Sequence, residues 1–180
     1  MNSEMKIFNK LLSLAKCLKG FGSEDLRDLL KVSSKEVWEE DEIVFDEGSL
    51  GRDLYIICSG RVGVWRKNGG EKVRLVNLSE GESFGEMGLI RGGGRSAGAV
   101  ALEETVALRV HYEKLILGSA AVTLLYRNIA QELAERLDVA NDIIVFQSQI
   151  GMDLPSSLQT IGKRHSRKKR PVSELDRKVT

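Results

Sequence analysis

Gly81-Glu82-Ser83-Phe84-Gly85-Glu86-Met87-Gly88-Leu89, followed by Arg95-Ser96-Ala97, is the stretch on which the reading of this chain turns. Gly81 and Gly85 let the backbone turn tightly and come close to a ligand. If Glu86 opens a short helical turn, the N–H groups of Gly85, Glu86 and Met87 converge on one point, which suits an anion. Phe84 and Leu89 would anchor that turn in a core. Arg95 adds a planar guanidinium fork able to neutralise and orient a phosphate, and Ser96 adds a hydroxyl. Glu86 cannot approach a phosphate oxygen without repulsion, so its useful partner is a hydroxyl pair. A competing reading makes Glu86 and Arg95 a buried structural ion pair.

Outward from this stretch, residues 37–110 read as short β runs broken by glycine. The runs are Glu42–Phe45, Leu54–Cys58, Arg61–Arg66, Val73–Leu78, Ala97–Ala101 and Thr105–Val110. Many short strands with glycine turns predict a sandwich or barrel. Lys67-Asn68-Gly69-Gly70 is a hairpin signal between two of them. Val62, Val64, Val73 and Leu75 fall on adjacent strands and form a candidate apolar wall for a base. The demands of the loop are then met together by a singly charged cyclic phosphodiester beside a ribose 2′-OH.

Helical patterns flank the β region. Ile7, Leu11, Leu14 and Leu18 make one stripe over residues 4–19, and Ser23 is placed to cap a second helix carrying Leu26, Leu29 and Leu30. A long helix is expected from near Tyr112, with Leu125, Ile129, Leu133, Leu137, Ala140 and Ile144 on one stripe. Its length suits covering the β region and pairing its distal half with another chain. After Ile150, Gly151 and Pro155 end the pattern, and Lys163, Arg164, Arg167, Lys168, Lys169 and Arg170 crowd a tail expected to be disordered without a partner. The organisation expected is a helical segment over 1–34, a β domain over 35–111, the long helix over 112–150 and a basic tail over 151–180.

Net charge is +1, from 27 basic and 26 acidic residues, so bulk charge points to neither nucleic acid nor membrane as partner. Cys17 and Cys58 do not make a disulfide framework and read as buried thiols in a reducing, cytoplasmic setting. No apolar run reaches spanning length and no secretion signal is evident. Gly92-Gly93-Gly94 lacks the Lys-Ser/Thr and the spacing of a nucleotide-triphosphate loop. His111 and His165 are the only histidines, and neither has metal-ligand neighbours in sequence, so an enzyme is not expected. No metal or cofactor is expected either.

Two signatures, Gly48-x-x-Gly51-x-x-Leu54-Tyr55-x-Ile57-x-x-Gly60-x-Val62 and Gly81-Glu82-x-Phe84-Gly85-Glu86-x-x-Leu89 with Arg95-Ser96-Ala97, resemble the cyclic nucleotide-binding domain family. The resemblance runs from about Phe21 to Ile144. It implies a mainly β fold with flanking helices, a double-stranded β-helix or jelly roll, and a long C-terminal helix. It also implies that the position of Glu86 holds the ribose 2′-OH and that of Arg95 the cyclic phosphate, with Ser96 and the backbone at Gly85 and Glu86 assisting. Gly88 stands where alanine is common, which is expected to loosen the cassette helix without removing a ligand contact. Ala134 to Asn141 resembles the catabolite activator segment that carries a base-contacting Thr-Ser pair; here the pair is Ala140-Asn141, and Asn141 can still meet a purine edge.

The resemblance implies a sensor that takes cAMP ahead of cGMP and relays occupancy through the 112–150 helix to a homodimer mate or an unknown downstream protein. Only residues 151–180 remain for the DNA-binding domain of those activators, so a free-standing sensor is expected, without nucleic acid or membrane contact. The alternative is a ligand-independent dimeric adaptor on the same fold.

Overall fold

A computed structural model describes residues 13–115 and 119–149. Eight strands form two antiparallel sheets. The strands are β1 (Ser33–Trp38), β2 (Ile43–Phe45), β3 (Leu54–Ser59), β4 (Val62–Asn68), β5 (Glu71–Leu78), β6 (Ser83–Phe84), β7 (Gly98–Ala101) and β8 (Thr105–Val110). One sheet has the order β1-β8-β3-β6, the other β2-β7-β4-β5. Helices α1 (Ser23–Lys31), α2 (Glu86–Arg91) and α3 (Ala120–Gln149) flank them.

Six of the strands follow the expected runs within a few residues. The β4–β5 hairpin closes through Gly69 and Gly70, with φ of 60° and 97°. Two successive positive φ values give a turn whose twist matches that of the strands, and glycine reaches them without strain. The sequence reading missed β1 and β6. β1 is an edge strand of mostly polar residues with only Trp38 buried, yet it pairs with β8 from Ser33↔Val110 to Trp38↔Thr105. β6 is two residues long and depends on its pairing with β3.

Alternation sorts the β3 side chains into two cores, which explains its unbroken apolar run. Leu54 and Ile56 join Leu108 and Val110 of β8 against Leu26, Leu29, Leu125 and Ile129 of the helices. Tyr55 and Ile57 face the sandwich interior with Trp38, Val62, Leu78, Phe84, Ala99, Ala101 and Ala107.

The helices depart from expectation at their starts. Gly22, not Ser23, is the N-cap of α1; the Asp25 carboxylate reaches back and accepts the Gly22 N–H at 2.9 Å. Ile7 and Leu11 lie outside the described residues, and residues 16–18 form a 3-10 turn that buries Cys17 and Leu18. Cys58 is half-buried on β3. The long helix does not begin near Tyr112. Tyr112–Lys114 is a 3-10 turn, and α3 starts at Ala120, where Ser119 accepts the Val122 N–H through Oγ and the Thr123 N–H through its carbonyl. Such a cap satisfies donors that an earlier start would leave within the turn. Two compact units divide after Leu133, and α3 contributes to both. The basic tail, with His165, lies outside the described residues.

Candidate functional site

The turn at Gly85 organises the site. Gly85 has φ of +83° and caps α2. A Cβ there would lie 2.8 Å from both Arg95 Nη1 and the Asp53 carbonyl oxygen, so glycine is required for conformation and for space. The Gly85 carbonyl accepts the Gly88 and Leu89 N–H groups at 3.1 and 3.3 Å. The N–H groups of Glu86 and Met87 thus precede the bonds internal to the helix, as first-turn donors do. Glu86 is buried, Met87 half-buried.

Arg95 is the central cation. It is 5% exposed although it lies between strands. Its backbone is clamped to the loop after β2: Arg95 N–H donates to Ser49 O, and Gly48 N–H to Arg95 O, both at 2.8 Å. Leu50 and Gly94 form an isolated bridge beside them. Nη1 donates to Asp53 O at 2.8 Å and to Gly85 O at 3.1 Å. The guanidinium carbon sits 4.3 Å from the Phe45 ring centroid and 5.6 Å from that of Tyr55, which stacks on Phe84. Burial pulls the guanidinium below its ordinary pKa, against the opposing pull of Tyr55 and Asp53. Burial likewise raises the Tyr55 hydroxyl. No carboxylate pairs with Arg95 among the described residues, so the ion pair with Glu86 weighed from sequence is not formed.

Beside Arg95, the Asp53 carboxylate accepts two bonds from Arg109, at 2.8 Å from Nε and 2.6 Å from Nη2, and one from the Tyr112 N–H at 2.9 Å. Burial alone would raise its pKa, but the Tyr112 and Arg109 bonds, the Arg109 charge and nearby His111 outweigh it and hold it below the ordinary carboxylate value. His111 closes the edge of the sheet, with Nε2 3.0 Å from Ser34 Oγ. No group of three or more His, Cys, Asp or Glu side chains among the described residues is placed to hold a metal.

Of the expected site residues, Gly85, Glu86, Met87 and Arg95 are brought to one turn. Ser96 follows Arg95 and is exposed. Val62 is fully buried and Val64 packs against the same interior cluster. Val73 and Leu75 do not join them: both are exposed, and a register shift beside Val64 leaves Leu75 without a cross-strand partner. The residue opposite Val64 is Val76, which the pattern did not single out. Asn141 is exposed on the second unit. Sequence reasoning also missed Phe45, Asp53 and Tyr55 as neighbours of Arg95. Tyr55 carried a signal, an aromatic in a strand buried on both faces; Asp53 carried none.

The cyclic nucleotide-binding domain family matches residues 35–116. The cyclic AMP receptor protein of Thermus thermophilus is 34% identical over 132 residues, covering 71% of this chain and 61% of that protein. This chain therefore spans less than two-thirds of that relative's length. The crystal structure of the Thermus thermophilus catabolite activator protein superposes with a TM-score of 0.67 at 32% identity, covering 74% of this chain and 63% of that one. A cyclic nucleotide-binding domain from Methylobacillus flagellatus superposes with a TM-score of 0.69 at 24% identity, over 79% of this chain and 84% of that one, a likeness of fold.

Proposed function

Residues 35–116 belong to the cyclic nucleotide-binding domain family, and on that premise we propose that this protein is a cyclic nucleotide sensor, responding to cAMP ahead of cGMP. The observation that carries the reading is the buried Arg95 guanidinium, anchored through Nη1 to the carbonyls of Gly85 and Asp53 and paired with no carboxylate among the described residues. Anchoring one nitrogen fixes the fork and directs its remaining donors to an anion. Glu86 heads the same turn and takes the ribose hydroxyl, the first-turn N–H groups and Ser96 assist the phosphate, and Val64, backed by the buried Val62, contributes apolar surface to the base.

Occupancy passes through α3 to a second copy of the chain or to a downstream protein. The support for pairing is the distal part of α3, where Leu137, Val139, Ile143, Val145 and Phe146 are all more than half exposed. Val139, Ile143 and Phe146 fall on one face of the helix, and an exposed apolar face of that kind favours a partner helix. No helix among the described residues is long and apolar enough to cross a membrane.

Calorimetric titration with cAMP and cGMP tests the reading. The wild type should bind one of them, and Arg95→Ala should weaken that binding by at least about tenfold, the worth of a hydrogen bond to a charged group. Absence of binding by the wild type leaves the ligand-independent dimeric adaptor. Incubation with cAMP should yield no AMP.

A further inference from the structure

We infer that Asp53 is the residue that couples the anion-binding guanidinium to the segment leading into α3, an inference that rests on the ligand reading above. Its main-chain carbonyl accepts Arg95 Nη1 at 2.8 Å, and its carboxylate accepts the Tyr112 N–H at 2.9 Å. Two hydrogen bonds through one residue therefore join Arg95 to the first residue of the 3-10 turn that precedes α3.

The neighbours of Asp53 complete the link. Gly51 abuts Arg95: a Cβ there would lie 2.8 to 3.1 Å from its Nε, Nη2 and guanidinium carbon. Arg52 lies over the Tyr112 ring, 3.4 Å from its centroid. Gly51 thus touches the cation, Arg52 touches the turn, and Asp53 touches both. The carboxylate is not free to swing, because Arg109 binds it through two nitrogens and is itself 3.7 Å from Glu36. His111 Nδ1 stands 4.0 Å away on the same side. The turn N–H is therefore held by a charged acceptor, the stronger kind of hydrogen bond.

The consequence is mechanical. A shift of Arg95 toward a bound phosphate draws on the Asp53 carbonyl, and the same residue's carboxylate carries that draw to Tyr112. Asp53 is a positioning residue: it needs no contact with the ligand. Coupling of two sites requires that the ligand change the balance between states of the connecting element, and the Tyr112 bond is the element to be biased.

The test combines calorimetry with amide hydrogen exchange of the full chain, with and without saturating cAMP. Asp53→Ala keeps the carbonyl, so its cAMP affinity should stay within about tenfold of wild type, the usual reach of a modest coupling energy. The cAMP-dependent change in exchange over residues 112–115 and 119–133 should shrink by about fivefold or more. Asp53→Asn keeps the shape but loses the charge that Arg109 holds, and should show a smaller loss of the same response; it serves if the alanine variant does not fold. An undiminished response in the variant that folds overturns the inference. So does a loss of affinity in Asp53→Ala as complete as in Arg95→Ala, which would make Asp53 only a support for the guanidinium. If wild type binds no cyclic nucleotide, the ligand reading fails first and this one falls with it.

Discussion

Gly88→Ala sets two calculable effects against each other. Gly88 lies within α2, and alanine is better than glycine in a helix by about 1 kcal/mol. Counted that way, the substitution stabilises, in keeping with the expectation that glycine loosens this helix. The packing says otherwise. A Cβ at position 88 would stand 2.5 Å from the Gly51 carbonyl oxygen and 3.1 Å from Arg95 Nη1. Carbon and oxygen rest no closer than about 3.3 Å even in attractive C–H···O contacts, so a gap of nearly 1 Å must open. The atom in the way is backbone, in a loop held by the Leu50–Gly94 bridge and by the Arg95–Ser49 and Arg95–Asp53 hydrogen bonds. Overpacking of this kind costs about 1–3 kcal/mol, which exceeds the propensity gain. The net expectation is a loss of about 1 kcal/mol, a fall in Tm of about 2–4 °C for a chain of this size. Reversible thermal unfolding followed by circular dichroism measures it. Because Gly51 also abuts Arg95, cAMP affinity should fall in the same variant. A rise in Tm with affinity unchanged would refute the reasoning, since it would mean that the loop yields at no cost.

Asp53, whose carboxyl is held below its ordinary pKa, contributes stability that is present above the unfolded value near pH 4 and is lost as pH falls through the lower folded value. The stability gap between wild type and Asp53→Asn, from urea unfolding, should be level between about pH 7 and 5 and narrow below about pH 4; a gap independent of pH contradicts this. Asn128 donates from Nδ2 to the carbonyls of Cys17 and Lys19 at 3.0 and 2.8 Å in a buried site. Asn128→Ala removes both bonds and should cost about 1–3 kcal/mol, with exchange near Cys17 rising most; a change below about 0.5 kcal/mol counts against the tie. Under the pairing proposed for α3, Leu137→Glu with Phe146→Glu should convert a dimer to monomer in light scattering without lowering Tm of the β domain, and a wild-type monomer at high concentration opposes the pairing.

What could be read from sequence followed the range of the interactions involved. Thr105–Val110 and the Gly69-Gly70 hairpin were legible because alternation and turn chemistry are local. β1 was not, because its strand state comes from six pairs with β8, some seventy residues away, rather than from its own polar residues. Glu86 and Arg95 were legible as a charged pair around a glycine turn. What anchors Arg95 was not: the carbonyls that hold it belong to Asp53 and Gly85, and backbone acceptors carry no side-chain signature. The cap of α1 shifted from Ser23 to Gly22 because Asp25, three residues further on, supplies the reciprocal bond. Leu75 was assigned to the wall by spacing alone, and the register shift beside Val64 takes that spacing away.

The charge balance at Arg95 leads to one more measurable consequence of the proposed function. A buried cation that pairs with no carboxylate among the described residues carries a desolvation cost of several kcal/mol, only partly offset by two carbonyls and aromatic faces. One negative charge on a ligand compensates it, and Arg95 is the only buried cation among the described residues, so a second charge finds no such partner. Leaving that second charge without a charged hydrogen-bond partner should cost at least about tenfold in affinity, the worth of a hydrogen bond to a charged group. The monoanionic cyclic phosphodiester of cAMP should therefore outcompete the phosphate monoester of 5′-AMP by about that factor at pH 8, where the monoester is dianionic. The preference should shrink toward pH 5, as the monoester, with a second pKa near 6, takes up a proton. Competition titrations at the two pH values decide it: equal affinities at pH 8 would mean that another cation shares the phosphate and that Arg95 does not act alone.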